Sequence, residues 1–318
     1  MSEIDELAQA ALTRYPLSAD ATATLCNVSE NHTYRVDDGA RSYALRLHRP
    51  GYRTAHQIAS ELVWVDALRE HGAVDTPATV PSRAGERVVD ADGRNVVLFE
   101  WLPGVIPDPE GDDAIAGFRT LGAVSARMHA HARAWRPPPG FDRPHWDYDH
   151  TLGPHGYWGA WQDGLGIGPE ERAQLHRLDA VIRRRLEAYG AAADRFGLVH
   201  ADIRLANLLV EDGHVRVIDF DDCGFAWFMY DFATTVSFME DHPRVPELRA
   251  AWLEGYRSVA ALHPDDEAEL DTFVMLRRLL LVAWIGSHHT FATEAAELGA
   301  GFTAGTCALA ERYLSSHT

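Results

Sequence analysis

Three Asp-Gly pairs, each set between short apolar runs of β type, constrain this chain more than any other feature. Asp37-Asp38-Gly39 separates runs at 30–36 and 41–47, and Ala91-Asp92-Gly93 separates 85–90 from 94–101. Glu211-Asp212-Gly213 separates Asn207-Leu208-Leu209-Val210 from His214-Val215-Arg216-Val217-Ile218. An Asp-Gly flanked by apolar runs predicts a tight hairpin, because both central residues must accept positive φ. A further strand is predicted at 22–28. Helices are predicted at 4–15, where Ile4, Leu7, Ala8, Ala11, Leu12 and Tyr15 share one face, and at 54–71, around 118–131, and at 169–190, 227–240, 246–262, 265–288 and 292–314. Strands first and helices later is an α+β order in two lobes. Leu102-Pro103-Gly104 breaks the pattern, dividing an expected N-terminal lobe, 1–103, from a mainly helical lobe, 104–318.

The third hairpin carries chemistry. Phe196-Gly197-Leu198-Val199 predicts a short buried strand that leads into His200-Ala201-Asp202-Ile203-Arg204-Leu205-Ala206-Asn207, and the hairpin returns the chain to Asp219 in Val217-Ile218-Asp219-Phe220-Asp221-Asp222. A carboxylate, an amide and a second carboxylate thus lie on two short segments joined by a tight turn. Magnesium-dependent phosphoryl transfer needs that set: one carboxylate takes the proton of an attacking hydroxyl, while the amide and the other carboxylate hold the metal. The alternative is a surface hairpin with a few acidic residues.

The step from Asp202 to Asn207 is the H-x-D-x-x-x-x-N spacing of protein-kinase catalytic loops. From about Ala23 to the last helices, the chain resembles the aminoglycoside phosphotransferase and choline kinase-like branch of the protein-kinase fold. The nearest subgroup includes type II homoserine kinases and a bacterial stress-response Ser/Thr kinase. The resemblance implies a bilobal kinase-like fold that uses ATP and Mg2+. It implies Asp202 as catalytic base, Asn207 and Asp219 as metal ligands and His200 as a loop-ordering residue. In Trp227-Phe228-Met229-Tyr230-Asp231-Phe232-Ala233 it implies that Asp231 braces the catalytic loop; a helix N-cap is the other reading.

The 318 residues contain no lysine; all 29 basic residues are arginine. Protein kinases hold the α- and β-phosphates with a Lys on the third strand, paired with a Glu on the next helix. Here the corresponding strand is Ser42-Tyr43-Ala44-Leu45-Arg46-Leu47-His48, and Arg46 is the candidate replacement, with Glu61 as its partner. A guanidinium can fork onto carboxylate and phosphate. Arg49 and Arg53 are rival phosphate contacts. The Asn27-to-Tyr34 hairpin lacks glycine; Ser29, Asn31 and backbone N–H groups are the expected phosphate cradle there, or else a polar turn. Glu100, Trp101 and Leu102 resemble the hinge whose backbone receives adenine, so that ATP would lie between the lobes.

A net charge of −18 argues against a nucleic-acid partner and mildly favours a cationic substrate. No apolar run reaches the roughly 18 residues of a membrane span. The acidic N-terminus lacks the basic start of a signal peptide, and Cys26, Cys223 and Cys307 show no disulfide or zinc spacing, which fits a cytoplasmic protein. His145, Asp147, Asp149 and His150 read either as a metal site or as an ordered loop with aromatic anchors. Candidates for holding the acceptor are Asp221, Asp222, Tyr230, Trp284 and His288, with the 141–161 loop, Arg277 and His289 as further walls. The expectation is an ATP-dependent phosphotransferase acting on a hydroxyl of a small, amine-bearing molecule (aminoglycoside-, homoserine- or choline-like), with a homodimer compatible. The alternatives are a Ser/Thr protein kinase and a nucleotide-binding pseudokinase.

Overall fold

The computed structural model describes residues 2–108, 111 and 113–317. The chain forms two compact units. The first comprises Met1–Val105, Pro137–Arg143 and Leu209–Asp221; the second comprises Ile106–Arg136, Pro144–Leu208 and Asp222–Thr318. A mixed fold, sheet-rich first and helical later, agrees with the expected α+β class.

The first unit opens with α1 (Glu3–Ala11), which ends in a tight turn at Leu12–Arg14 rather than running to Tyr15. An antiparallel sheet follows, built from β1 (Thr22–Val28), β2 (His32–Asp38), β3 (Arg41–Leu47), β4 (Thr79–Val80), β5 (Val89–Ala91) and β6 (Arg94–Glu100). Its order is β1-β2-β3-β6-β4, with β5 paired to β6. Between β3 and β4 runs α2 (Ala55–Glu70), capped by Thr54, whose hydroxyl accepts the Gln57 N–H at 3.1 Å. Strand alternation sorts the side chains. Tyr34, Val36, Leu45, Leu47, Val96 and Leu98 pack with Leu12 and Tyr15 in one core. Val97, Phe99 and Ala44 pack on the other face, with Ile58 and Leu62 of α2. Arg46, two residues from Ala44, therefore points toward the helix.

In the second unit, α3 (Ala114–Ala134), α4 (Tyr148–Thr151) and α5 (Pro169–Tyr189) precede β7 (Phe196–Val199). The chain then returns to the first unit, where β8 (Leu208–Glu211, from Leu209 on) and β9 (His214–Val217) form the third hairpin, with Asp212 at φ 49° and Gly213 at φ 80°; the elements that follow belong to the second unit. β10 (Gly224–Trp227) pairs antiparallel with β7, Gly224 opposite Val199. Then come α6 (Tyr230–Thr235), α7 (Val245–Arg257), α8 (Pro264–Ala268), α9 (Leu270–His288) and α10 (Thr293–His317). The helices α3 and α7 cross closely. A Cβ on Gly122 would lie 1.9 Å from the Trp252 carbonyl oxygen, and one on Gly255 would lie 1.8 Å from that of Arg119.

Several predicted elements differ. The helix expected at 227–240 is a strand plus one short helix, because Ala226 and Trp227 pair with Gly197 and Phe196 and Phe238 turns left-handed at φ 71°. The helix expected at 265–288 is broken after Ala268. The last helix is interrupted at Gly299, at φ 49° and ψ −150°. No helix among the described residues is long and apolar enough to cross a membrane.

Candidate active site

In the second unit, β7 delivers the chain to a loop whose backbone is tied from beneath. Ala201 is a non-glycine residue at φ 65°. Its N–H donates to Asp231 Oδ1 at 2.9 Å, and the His200 N–H donates to Asp231 Oδ2 at 3.3 Å. The same carboxylate meets His129 Nε2 at 2.9 Å, and the other His129 nitrogen meets the Tyr256 hydroxyl at 3.1 Å. His129 and Asp231 are fully buried, and burial holds the His129 imidazole below its ordinary pKa despite that carboxylate. Thr234 accepts the Ile203 N–H at 3.0 Å. Asp231 thus braces the loop through its backbone and is not a helix N-cap.

The braced loop presents Asp202, whose side chain is 18 % exposed. Asp202 Oδ1 receives Arg277 Nη2 at 2.9 Å, with Arg204 Nε at 3.6 Å. Asp202 Oδ2 receives Asn207 Nδ2 at 3.1 Å, and the same nitrogen reaches the Asp202 carbonyl at 2.7 Å. These bonds occupy the Asn207 amide nitrogen and leave its amide oxygen as the atom suited to a hard cation. His200 is buried, and its Nδ1 accepts the Asp202 N–H at 3.3 Å.

In the first unit, Arg46 is 6 % exposed, and its Nη2 meets Glu61 Oε1 at 2.6 Å. Its Nη1 lies 3.6 Å from Asp219 Oδ1, and its guanidinium sits 5.1 Å over the Phe99 ring. Burial opposes the charge, but Glu61, Asp221 and Asp219 outweigh it and hold the Arg46 pKa above its ordinary value. Asp219 has left-handed backbone, φ 62°, and its side chain remains 48 % exposed. Asp219 therefore presents a half-exposed carboxylate beside the Arg46 cation. Arg143, 1 % exposed, ties its turn to α2: the guanidinium donates to the Gln57 carbonyl at 3.0 Å, to the Phe220 carbonyl at 3.4 Å and to the Asp221 carbonyl.

Other residues singled out in the sequence lie elsewhere than expected. Asp221 is buried at 5 % exposure and turned into the first unit. Its Oδ2 accepts Asn31 Nδ2 at 2.8 Å, and its Oδ1 lies 3.5 Å from His48 Nδ1, so it does not face an acceptor. Arg46, His48, Arg53 and Arg143 overcome its burial and hold its pKa below the usual carboxylate range. Asn31 spends its amide on Asp221 and on the Arg49 N–H at 3.1 Å, which removes that side chain from a phosphate cradle; Ser29 stays exposed in the turn, where its N–H bonds the Asn31 carbonyl. At the expected hinge, the Glu100 N–H goes to the Ala78 carbonyl and the Trp101 N–H to the Ser42 carbonyl.

Tyr230 is buried beneath Asp202 rather than exposed as a wall, its hydroxyl receiving Arg277 Nη1 at 3.2 Å. Trp284 stacks on His288 with ring centroids 5.4 Å apart, and His288 Nδ1 is 2.9 Å from the Trp284 carbonyl. Both are buried. Asp222 is partly exposed, and its carbonyl accepts Trp146 Nε1 at 2.8 Å. Asp147 caps α4 and pairs with His150 at 2.7 Å, and no metal-binding cluster of three or more His, Cys, Asp or Glu occurs among the described residues. The sequence reading missed Arg143 and Arg204. Arg204 was visible inside the catalytic string, two residues after Asp202; Arg143 sits in a Pro-rich stretch without periodicity.

The family described as "Phosphotransferase enzyme family" (APH) matches residues 25–271. The chain belongs to that family. Amicoumacin kinase of Bacillus subtilis (strain 168) is 26 % identical over 314 residues, covering 93 % of this chain and 89 % of the relative. Among solved structures, the microcompartment-associated aminopropanol kinase is 49 % identical, with a TM-score of 0.91 over 98 % of both chains. Amicoumacin kinase hAmiN, solved with AMP-PNP, Ca2+ and Ami, shares the fold at 24 % identity and TM-score 0.77, over 96 % of this chain and 93 % of that one. The chain is accordingly a small-molecule kinase, a phosphotransferase with an alcohol group as acceptor.

Proposed function

We propose that this enzyme transfers the γ-phosphate of ATP to the hydroxyl of a small amino alcohol of the aminopropanol class. The observation that carries this reading is the similarity to the aminopropanol kinase, 49 % identity at a TM-score of 0.91 over 98 % of both chains. The net charge of −18 suits a cationic acceptor through long-range steering.

The residues take the following roles in this reading. Leu102 offers its backbone to adenine. Arg46, held by Glu61, takes the α- and β-phosphates. Asn207, through its amide oxygen, and Asp219, through its carboxylate, would hold Mg2+. Both are hard oxygen donors, and the half-exposed Asp219 carboxylate and the bond-oriented Asn207 amide fit such an ion. When bound, the ion neutralises charge on the transferring phosphate. The acceptor oxygen bonds to the γ-phosphorus as the bond from that phosphorus to the β–γ bridging oxygen breaks, and ADP leaves with that electron pair. Asp202 takes the hydroxyl proton. Alignment and charge neutralisation supply most of the rate, since little covalent chemistry is left to the protein.

The test is ADP release with Mg2+ and a panel of 1-amino-2-propanol, ethanolamine, choline, homoserine, an aminoglycoside and amicoumacin. The reading requires the short amino alcohols to give the highest kcat/KM. It requires Asp202→Ala to lose several powers of ten in kcat with nucleotide still bound. Preference for casein-like protein over every small molecule would overturn it in favour of a protein kinase, and ATP turnover by none would favour a pseudokinase.

A further inference from the structure

An amino alcohol presents two ends to a catalytic carboxylate, and the wrong one is the stronger ligand. A bare Asp would pair with the ammonium and leave the hydroxyl out of reach. The surroundings of Asp202 bear on this choice. Arg277 Nη2 holds Oδ1 at 2.9 Å, and Arg204 Nε stands at 3.6 Å from the same oxygen. Arg277 is itself fixed. Its Nη1 donates to the Tyr230 hydroxyl at 3.2 Å and its Nε to Ser237 Oγ at 3.3 Å, and the guanidinium sits 5.2 Å over the Trp158 ring. Its side chain is 4 % exposed, against 18 % for Asp202. The neighbouring pair on α9 is different: Arg278 and Glu240 are 4 % and 1 % exposed, a pair closed on both sides. A buried cation committed to a carboxylate that keeps an open side is an arrangement for tuning that carboxylate.

We infer that Arg277 is a positioning and specificity residue: it neutralises Asp202 toward ammonium groups, so that the base selects the hydroxyl end of the acceptor. The claim rests on Asp202 as base and on an amino-alcohol acceptor. With Oδ1 taken by the guanidinium, the hydroxyl proton goes to Oδ2, which also accepts the Asn207 amide at 3.1 Å and has a second lone pair for it. A substrate ammonium approaching Asp202 meets a second positive charge within a few ångströms, where like charges repel. Selection against the wrong binding mode is then built into the site as a repulsive element.

The probe is propylamine, which carries the ammonium and no hydroxyl, used as an inhibitor of 1-amino-2-propanol phosphorylation. With Arg277 in place, Asp202→Asn should change propylamine binding less than about threefold, because a neutralised carboxylate contributes little to amine affinity. A tenfold weakening in Asp202→Asn would overturn the inference without any change at Arg277. In Arg277→Gln, propylamine inhibition should tighten about tenfold, while kcat and KM for the amino alcohol fall together, the signature of unproductive binding. Arg277→Lys, which keeps the charge, should restore most of the selectivity. Adding Asp202→Asn to Arg277→Gln should abolish the tightening, since the two act as a unit. Lost activity with unaltered propylamine inhibition would mark Arg277 as merely structural. Full activity of Asp202→Asn alone would instead remove the base assignment, and no turnover of any amino alcohol would remove the proposed function.

Discussion

The Ala201 N–H donates to Asp231 Oδ1 at 2.9 Å, and Ala201 holds φ 65°, a left-handed backbone that costs an alanine about 1–2 kcal/mol. The hydrogen bond offsets that cost and sets the direction in which the next residue, Asp202, leaves the chain. Asp231→Asn keeps one acceptor but turns an amide donor toward either the His200 N–H or His129. We expect a loss of about 2–3 kcal/mol in denaturant unfolding, from a buried donor left unpaired, together with at least a tenfold fall in kcat. An Asn variant with unaltered midpoint and turnover would show that the loop holds its shape without the brace.

Arg46 and Glu61 are almost wholly buried, at 8 % and 1 % side-chain exposure. Arg46→Met leaves Glu61 without a partner inside the first unit and should destabilise by about 3–5 kcal/mol. Arg46→Lys retains the charge but not the fork, so stability should recover in part while KM for ATP stays raised by about tenfold. Equal KM values for the Lys variant and the parent would argue that phosphate contact is made elsewhere.

Arg143 supplies hydrogen bonds to three main-chain carbonyls, at Gln57, Phe220 and Asp221, and so ties α2 to the turn carrying Asp219. Arg143→Met should raise the Mg2+ concentration for half-maximal activity several-fold, since the turn is no longer anchored. The amino-alcohol KM should move little. Titration of activity with Mg2+ checks this; an unchanged curve would reduce Arg143 to a packing role.

His48 is 2 % exposed, and burial, reinforced by the Arg46 cation, lowers its pKa from 6.5 to about 3. Unfolding frees it to bind a proton, so its contribution to stability is fully present above about pH 6.5. That contribution is lost progressively as pH falls toward 3, at up to about 1.4 kcal/mol per pH unit. Buried His129, with its lowered pKa, adds loss of the same sign. Asp221, held below its usual range, adds loss only below about pH 3.8. Urea unfolding between pH 7 and pH 4.5 should therefore show falling stability, and His48→Leu should flatten that slope. A slope unaffected by the substitution would assign the acid sensitivity to other groups.

The sequence exposes these features unevenly, and the reasons are physical. A strand repeats every two residues and a helix every 3.6, so the spacing of Arg46 and Glu61 can be read as a strand residue facing the next helix. The Asp212-Gly213 turn announces itself because few other pairs tolerate two positive φ values. Asp231 could be read either way, since a helix cap and a loop brace use the same side chain. The run Trp227-Phe228-Met229-Tyr230 is apolar throughout, and such a run fits a strand end or a helix start equally. Asp221 and Asp222 are adjacent in sequence, yet only Asp221 turns fully inward, because a turn has no periodicity to sort them. Arg277 and Arg278 stand out within an apolar helix, but their partners, Asp202 and Glu240, come from distant segments that no local pattern names.

With an arginine where related kinases keep an ε-amine, and with no such amine anywhere in these 318 residues, this protein is invisible to one kind of chemistry. Reagents that acylate an amine beside bound nucleotide, used to tag kinases in mixtures, would find nothing to acylate on its side chains. A guanidinium buried against Glu61 remains charged and non-nucleophilic at any pH the fold survives. A survey of ATP-using proteins built on such labels would pass over this enzyme, however active it was.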